Sequence, residues 1–151
     1  MQVRRYAEAD RASVMALAPR LTEGVAGWRD RRAVRGAVLD WVAGSLAAAE
    51  ADDHAVFVVE DDGMVLGFVT CGEREHFTSE VDGYVGELVV AGGGVRRGVG
   101  SALMAAAEQW AADRGLAHLT LETGAANSAA RRFYSALGYR DEDVRLTKRI
   151  G

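Results

Sequence analysis

The sequence predicts one α/β domain in which a mixed, largely antiparallel sheet is flanked by about four helices. Apolar runs of strand length alternate with longer segments of helical periodicity. Two helical segments come early, and three strand segments then follow one another before the next helix. No repeat, linker or low-complexity tract divides the chain. Residues 1–151 are therefore expected to form a single domain.

The first third of the chain is predicted to hold one strand and two helices. Gln2 to Tyr6 alternates as a short strand does. A helix capped by Asp10 is expected to end near Ala18, because Pro19 disfavours helical backbone before it. A longer helix should follow Asp30. Its apolar residues, which recur at helical spacing and are expected to be buried, are Val34, Ala37, Val38, Trp41, Val42, Leu46 and Ala49.

A three-stranded meander is predicted next. Its first strand runs from His54 to Glu60 and ends at the turn Asp61-Asp62-Gly63, a sequence typical of hairpins. Met64 to Gly72 is the partner strand, and Gly83 to Ala91 is the third. The polar segment between these two strands contains His76.

The rest of the chain is predicted to alternate between helix and strand. A helix runs from about Val99 to Arg114, and the alternation from Ala117 to Thr123 predicts a strand. Another helix ends at Gly138, and Val144 to Ile150 is a last strand. The side chains that this last helix is expected to bury are Ala130, Phe133, Tyr134 and Leu137.

Composition and charge exclude several classes of function. The net charge of −4 argues against nucleic acid as the main partner, because phosphate backbones select basic surfaces. No signal peptide and no apolar run of about 20 residues is present, so no membrane partner and a cytoplasmic location are expected. The single cysteine, Cys71, suits a reducing compartment, and no metal is expected because no Cys/His cluster has metal-ligand spacing.

A glycine-rich turn between a strand and a helix is the most informative stretch. Such a turn exposes the free N–H groups of a helix N-terminus, which bind phosphate. A P-loop is excluded, because Gly93 to Gly98 is followed by Val99-Gly100 rather than Lys-Ser/Thr. A dinucleotide fingerprint beginning at Gly98 lacks its third glycine, since Leu103 stands there.

Motifs further along the chain indicate the protein family that this turn resembles. The segment resembles the Gcn5-related N-acetyltransferase (GNAT) family, whose cofactor loop follows the pattern Gln/Arg-x-x-Gly-x-Gly/Ala. The matching stretches are Val95-Arg96-Arg97-Gly98-Val99-Gly100, Leu121-Glu122-Thr123, Asn127, Ala130 and Phe133-Tyr134-Ser135-Ala136-Leu137-Gly138-Tyr139. The resemblance implies the three-layer GNAT fold and direct transfer of an acetyl group from acetyl-CoA to an amine.

The resemblance also implies a cofactor site around this turn. Backbone amides from Arg96 to Ser101 are expected to bind the pyrophosphate, although Val95 replaces the family's usual Gln or Arg. Asn127 is expected near the pantetheine arm or as a helix cap. The positions implied to contact acetyl-CoA are Leu88, Val89, Val90, Val95, Arg96, Arg97, Gly98, Val99, Gly100, Ser101, Asn127, Ala130 and Phe133.

Three residues are candidates for the chemistry. An alkyl amine with a pKa near ~10 is neutral in only about one molecule per thousand at pH 7, so a general base helps. By resemblance Glu87 or Glu122 is that base, directly or through water, with Glu87 slightly favoured. Tyr134 occupies the position of the family's general acid, and backbone N–H groups near Val89 and Val90 are expected to stabilise the thioester oxygen.

The acceptor is expected to be a small cationic amine such as a polyamine or an aminoglycoside, because the chain is acidic. Glu23, Trp28 and His76 are the candidate substrate-binding residues. A protein N-terminus is the second choice of acceptor. A non-catalytic acyl-CoA-binding module is the alternative of a different class. Homodimers are frequent in the family, so the resemblance leaves a homodimer open.

Overall fold

A computed structural model describes residues 1–94 and 97–151, and its centre is one five-stranded sheet. The strands lie side by side in chain order, antiparallel from β1 to β4, and β5 is parallel to β4. Parallel pairing follows because a helix crosses over between the two strands. The strands are β1 (Gln2–Arg5), β2 (His54–Asp61), β3 (Met64–Glu75), β4 (Val81–Val90) and β5 (Leu119–Leu121).

Four α-helices cover the two faces of this sheet in the described residues, as the sequence predicts. Pro19 ends the first at Leu17, and Asp30 caps the second by accepting a 2.9 Å hydrogen bond from the N–H of Ala33. The helices are α1 (Arg11–Leu17), α2 (Arg31–Ala47), α3 (Val99–Asp113) and α4 (Ser128–Ala136). No helix in these ranges is long and apolar enough to cross a bilayer.

Two apolar clusters hold the layers together, one on each face of the sheet. The first packs α3, through Leu103, Met104 and Trp110, against strands β2 to β4. The second packs α1 and α2 against the opposite face, where Phe68 is fully buried. The result is a helix–sheet–helix arrangement, so the predicted three-layer fold is confirmed.

Two expectations from the sequence are wrong. The predicted strand Val144–Ile150 is not a strand: Val144 is 75 % exposed, and Leu146 and Ile150 are each 89 % exposed. Its alternating pattern indicates strand preference, but a strand also needs an edge to pair with, and this segment pairs with no strand of the described residues. Trp41, predicted in the core, is 60 % exposed because α2 buries a narrower stripe than its sequence suggests.

The fourth helix is also packed less completely than its sequence predicts. None of its residues is buried, and Leu137, just after it, is 37 % exposed. Phe133 and Tyr134 are partly buried against the α3 side of the core. The strand that precedes α4, β5, has only three residues, so it offers little apolar surface to this amphipathic helix.

Candidate active site

A gap opens in the sheet between β4 and β5. The two strands pair only from Gly83 to Val85, opposite Leu119 to Leu121, whereas β4 continues to Val90. Ala91 donates its N–H to the carbonyl of Leu66 (2.8 Å). Alternation along an antiparallel ladder then turns the N–H and C=O groups of Val90 and Leu88 towards the gap. Peptide groups are thus available there to a ligand that lies along β4.

The first turn of α3 borders this gap. Gly98 precedes the helix with a φ of +76°, a left-handed conformation that glycine adopts without strain. Its carbonyl accepts the N–H of Ala102 (3.0 Å), so the N–H groups of Val99, Gly100 and Ser101 have no partner within the helix. Val99 is fully buried, Gly100 is partly buried and Ser101 is exposed. These amides form an anion-binding N-terminus.

The glycine turn itself is described only in part. Val95 and Arg96, two of the predicted cofactor-binding residues, lie outside the described residues. The guanidinium of Arg97 forms an ion pair with Asp61, the last residue of β2. The Arg97 side chain is therefore paired within the protein, and any contact of Arg97 with the cofactor would come from its backbone.

The fourth helix closes the opposite side of the gap. A Cβ placed on Gly100 would lie 3.2 Å from the ring of Phe133 and 3.6 Å from Val90, so glycine allows α3 and α4 to approach. Phe133 packs edge-on against Tyr134, with ring centroids 5.1 Å apart. Burial raises the pKa of Tyr134 to about 12. Val90, Gly100 and Phe133, three of the predicted cofactor-binding residues, therefore lie close together.

Asn127 begins α4 as a helix cap. Its side-chain oxygen accepts the N–H of Ala130 at 3.2 Å, which links the two predicted residues. The loop after α1 crosses over this cap. A Cβ on Gly24 would lie 2.6 Å from the Cβ of Asn127, and one on Gly124 only 1.9 Å from the carbonyl oxygen of Gly24. These contacts bring the loop that carries Glu23 and Trp28 to the β5–α4 turn.

A β-bulge determines the direction of Glu87. Thr70 lies opposite Glu87 and Cys71 opposite Val85, so Gly86 is an extra residue in β4. Val85 faces α3, and regular alternation would turn Glu87 to the same face. Because the bulge inserts one residue, the Glu87 carboxylate instead faces α2.

The Glu87 side chain is buried in a small polar cluster. Thr70 donates its hydroxyl to the carboxylate, and the Ser45 hydroxyl of α2 lies 2.9 Å and 3.2 Å from its two oxygens. Glu87 is 5 % exposed, and burial raises its pKa above the ordinary value, although both hydroxyl hydrogen bonds oppose that shift. A carboxylate with a raised pKa is a stronger base than a solvated one.

The other predicted polar residues are more exposed. Glu122 contacts Arg74 at 3.3 Å in an exposed ion pair, and its side chain is 64 % exposed. His76 lies in the β3–β4 hairpin loop, where its Nδ1 is 2.7 Å from the Thr78 hydroxyl. Glu23 is exposed and Trp28 is 70 % exposed. The structure thus gives Glu87 and Glu122 different surroundings.

The structure adds residues that the sequence argument did not select. Ser45 and Thr70 hold the Glu87 carboxylate, and the helical spacing of Trp41 and Ser45 places both on one face of α2. Tyr84 stands on the same face of β4 as Glu87, with the Arg74 guanidinium 4.4 Å from its ring centroid. The contact between Ser45 of α2 and the Glu87 carboxylate depends on the bulge, which the sequence alone does not reveal.

Elsewhere the fold gathers three potential metal-binding side chains that are far apart in sequence. The Nδ1 atom of His118 lies 3.6 Å from Asp82 and 3.8 Å from Glu80. His118 and Glu80 are exposed, and such groups pair commonly at protein surfaces without a metal. They belong to the start of β4 and the residue before β5, away from the bulge.

Comparison with known proteins identifies the family. Residues 21–139 match the sequence profile of the Acetyltransferase (GNAT) family. The chain belongs to this family. The GNAT fold, the acetyl-CoA co-substrate and the N-acetyltransferase activity expected from the sequence are thereby confirmed.

Individual GNAT proteins resemble the chain at moderate identity. Aminoglycoside N(6′)-acetyltransferase type 1 of Salmonella typhimurium is 24 % identical over 98 residues, which are 62 % of this chain and 68 % of that protein. An N-acetyltransferase of Methanocaldococcus jannaschii is 32 % identical over 106 residues, or 66 % of this chain and 47 % of that protein.

The fold is also similar to that of solved GNAT enzymes. AAC(6′)-Iy, in complex with the bisubstrate analogue CoA-S-monomethyl-acetylneamine, superposes with a TM-score of 0.74 at 21 % identity. The match covers 99 % of this chain and 97 % of that one. At this identity the similarity concerns the fold.

Proposed function

We propose that this GNAT enzyme acetylates a small cationic amine and that Glu87 is its base, acting through water. The observation that carries the proposal is the bulge at Gly86, which turns a buried carboxylate of raised pKa onto the α2 face of the sheet. The same strand borders the β4–β5 gap. The base and the peptide groups of Leu88 and Val90 that would bind the acetyl donor are thus one and three residues apart on β4.

In this proposal acetyl-CoA lies along the gap and supplies the acetyl thioester. Leu88 and Val90 bind it through peptide groups, and the N–H of Val90 is suited to stabilise the thioester oxygen as its negative charge grows. The N–H groups of Val99, Gly100 and Ser101 are suited to the pyrophosphate. Phe133 forms an apolar wall beside Gly100.

The two hydroxyl groups at Glu87 determine how the base works. Thr70 and Ser45 donate to the carboxylate and fix its orientation, while burial strengthens it as a proton acceptor. Its 5 % exposure leaves little room for direct contact with an amine. A water molecule between Glu87 and the ammonium group would relay the proton.

Tyr134 is the proposed acid. Because burial raises its pKa to about 12, the phenol remains protonated throughout the neutral range and can donate a proton to the departing thiolate. Tyr134 lies beside Phe133 on α4, and Phe133 in turn lies close to Gly100 in the first turn of α3.

The acceptor surface is proposed to lie along α2 and the loop before it. Trp41 shares a helix face with Ser45, and Trp28 is exposed on the loop that crosses the Asn127 cap. Exposed indole rings attract cations through their π faces, and Glu23 on the same loop adds a negative charge. The similarity to an aminoglycoside acetyltransferase supports a polycationic amine as substrate.

The experiment is a thiol-release assay with acetyl-CoA over a panel of aminoglycosides, polyamines and N-terminal peptides. We expect turnover with a polycationic small amine, and Glu87→Gln should lower kcat by about 10²–10⁴-fold. Glu122→Gln is the matched control, because it removes the same charge at an exposed site. Turnover with peptides alone would overturn the acceptor, and unchanged activity of Glu87→Gln would overturn the base.

A further inference from the structure

Asp82 is a buried carboxylate with no hydrogen-bond partner among the residues that the structure describes. It is 8 % exposed. The other buried polar side chains of these residues, Asp10, Thr70 and Glu87, are each hydrogen-bonded to another side chain. The Asp82 carboxylate has only a 3.6 Å contact with the Nδ1 atom of His118. Burying a carboxylate without a partner is costly, and a cation beside it would offset that cost.

No arginine or lysine supplies this cation within the described part of the chain. Arg74 lies directly opposite Asp82 in the β3–β4 ladder. Its guanidinium instead contacts Glu122 at 3.3 Å and lies over the ring of Tyr84. The charge of Asp82 is therefore left to the imidazole of His118, the second residue before Thr120 on β5, or to a bound ion.

Glu80 adds a second carboxylate to this cluster. Its oxygen lies 3.8 Å from the Nδ1 atom of His118, and one donor atom from each of the three residues lies within 4.8 Å of the others. In a tetrahedral zinc site with bonds of about 2.0–2.2 Å, the ligand atoms are about 3.3–3.6 Å apart. Both distances from His118 are close to that range. Glu80 is exposed, so a change of rotamer can bring its carboxylate nearer to Asp82.

The backbone holds the three residues next to one another. The N–H of Gly83 donates to the carbonyl of His118 (2.9 Å), and the N–H of His76 donates to the carbonyl of Glu80 (2.8 Å). Glu80 and Asp82 are two residues apart and point to the same face of an extended chain. The cluster has one histidine and no cysteine, so Cys/His spacing in the sequence does not reveal it.

We propose that Glu80, Asp82 and His118 bind one Zn²⁺ ion, which holds the start of β5 against the start of β4. One imidazole nitrogen and two carboxylate oxygens suit zinc, with water as a fourth ligand, whereas Mg²⁺ and Ca²⁺ prefer oxygen ligands alone. The two carboxylates balance the charge of the ion. The ion would strengthen a junction at which β4 and β5 share only three paired residues. The proposal is independent of the acceptor amine and of the base.

Isothermal titration calorimetry of the chelator-treated full chain with Zn²⁺ tests the site. We expect the wild type to bind one equivalent, and His118→Asn to weaken binding by at least ~100-fold, because the nitrogen ligand is lost. His54→Asn is the matched control. The Nδ1 atom of His54 also contacts a carboxylate, that of Asp53 at 2.7 Å, but no third ligand joins this pair in the described residues. The His118 side chain is 66 % exposed, so His118→Asn should keep the wild-type circular dichroism spectrum.

Zinc should also raise the melting temperature of the wild type and of His54→Asn and slow amide exchange at 119–121, with neither effect in His118→Asn. Asp82→Asn tests the buried ligand separately and should weaken zinc binding as well. A wild type that binds no stoichiometric zinc would overturn the proposal, and would leave Asp82 paired with the imidazole alone. Equal zinc affinity of the wild type and His118→Asn would equally overturn it. So would Mg²⁺ that binds as tightly as Zn²⁺.

Discussion

The chain up to Ala111 and the chain after it are packed very differently. Every buried residue of the described structure lies at or before Ala111, including the fully buried members of both apolar clusters. From residue 112 onwards the side chains are partly buried at most. The later region nevertheless contains β5, α4 and the aromatic residues beside the gap. A region that carries function but lacks a core of its own is expected to be completed by what it binds.

The physical reason for the contrast lies in the sheet. Strands β2, β3 and β4 are long and covered by helices on both faces, so their side chains are removed from water. β5 has three residues and separates from β4 after Val85. The gap that would admit acetyl-CoA is therefore also the reason why α4 has little to pack on.

The largest expected effect is on stability and separates the two regions directly. Leu103→Ala removes a fully buried side chain from the α3 face of the core, and we expect it to lower the free energy of unfolding by about 2–5 kcal/mol. Leu137→Ala makes the same change at a residue that is 37 % exposed and should cost less than ~1 kcal/mol. Urea denaturation measures both. Equal losses would show that the later region has a core of its own.

The next effect concerns the phenol at the gap. Tyr134→Phe retains the ring contacts with Phe133 and Tyr139 but removes the proposed proton donor. We expect kcat to fall by about 10²-fold while the free energy of unfolding changes little. Steady-state kinetics across pH, with Tyr139→Phe as the matched variant, provide the measurement. A Tyr134→Phe enzyme with wild-type kcat at every pH would exclude the acid role.

A smaller effect is expected at the start of α4. Asn127→Ala removes the side-chain acceptor for the N–H of Ala130 and should cost about 1 kcal/mol of stability. Asn127→Asp, which keeps an acceptor at this position, is the control. Thermal unfolding of the three proteins gives the comparison. If Asn127→Ala were as stable as the wild type, this cap would contribute nothing to the later region.

The smallest effect is a pH-dependent change in stability that comes from Glu87, the proposed base. Burial raises the pKa of Glu87 in the folded protein, so the folded state is favoured while Glu87 is protonated and loses that advantage as the pH rises through the raised value. Glu87→Gln has no such titration. Its melting temperature should equal or exceed that of the wild type at neutral pH, and the difference should vanish below the ordinary glutamate pKa. A neutral-pH loss of stability would mean that the ionised carboxylate supports the fold.

The sequence is sufficient to predict the elements of the packed region, because periodicity determines which apolar side chains a helix or strand buries. The meander from His54 to Val90 and helices α2 and α3 follow directly from such patterns. The glycine turn and the Phe133-Tyr134 pair are also recognisable in the sequence, because each is a short run of consecutive residues.

The features that the sequence does not predict depend on strand register and on what each segment packs against. The bulge at Gly86 decides which face Glu87 takes, and a glycine in a strand does not by itself specify a bulge. The exposure of Trp41 depends on how α2 is rotated against the sheet. The alternating pattern of Val144–Ile150 predicts a strand, but the segment pairs with no strand of the described residues.

Amide hydrogen exchange with and without acetyl-CoA tests most directly whether the later region is completed by what it binds. We expect acetyl-CoA to slow exchange at Leu88, at Val90 and in the first turn of α3, and to slow it across α4, while β1 to β3 remain unchanged. Exchange that does not slow at these positions, or that slows only outside the gap, would contradict the account.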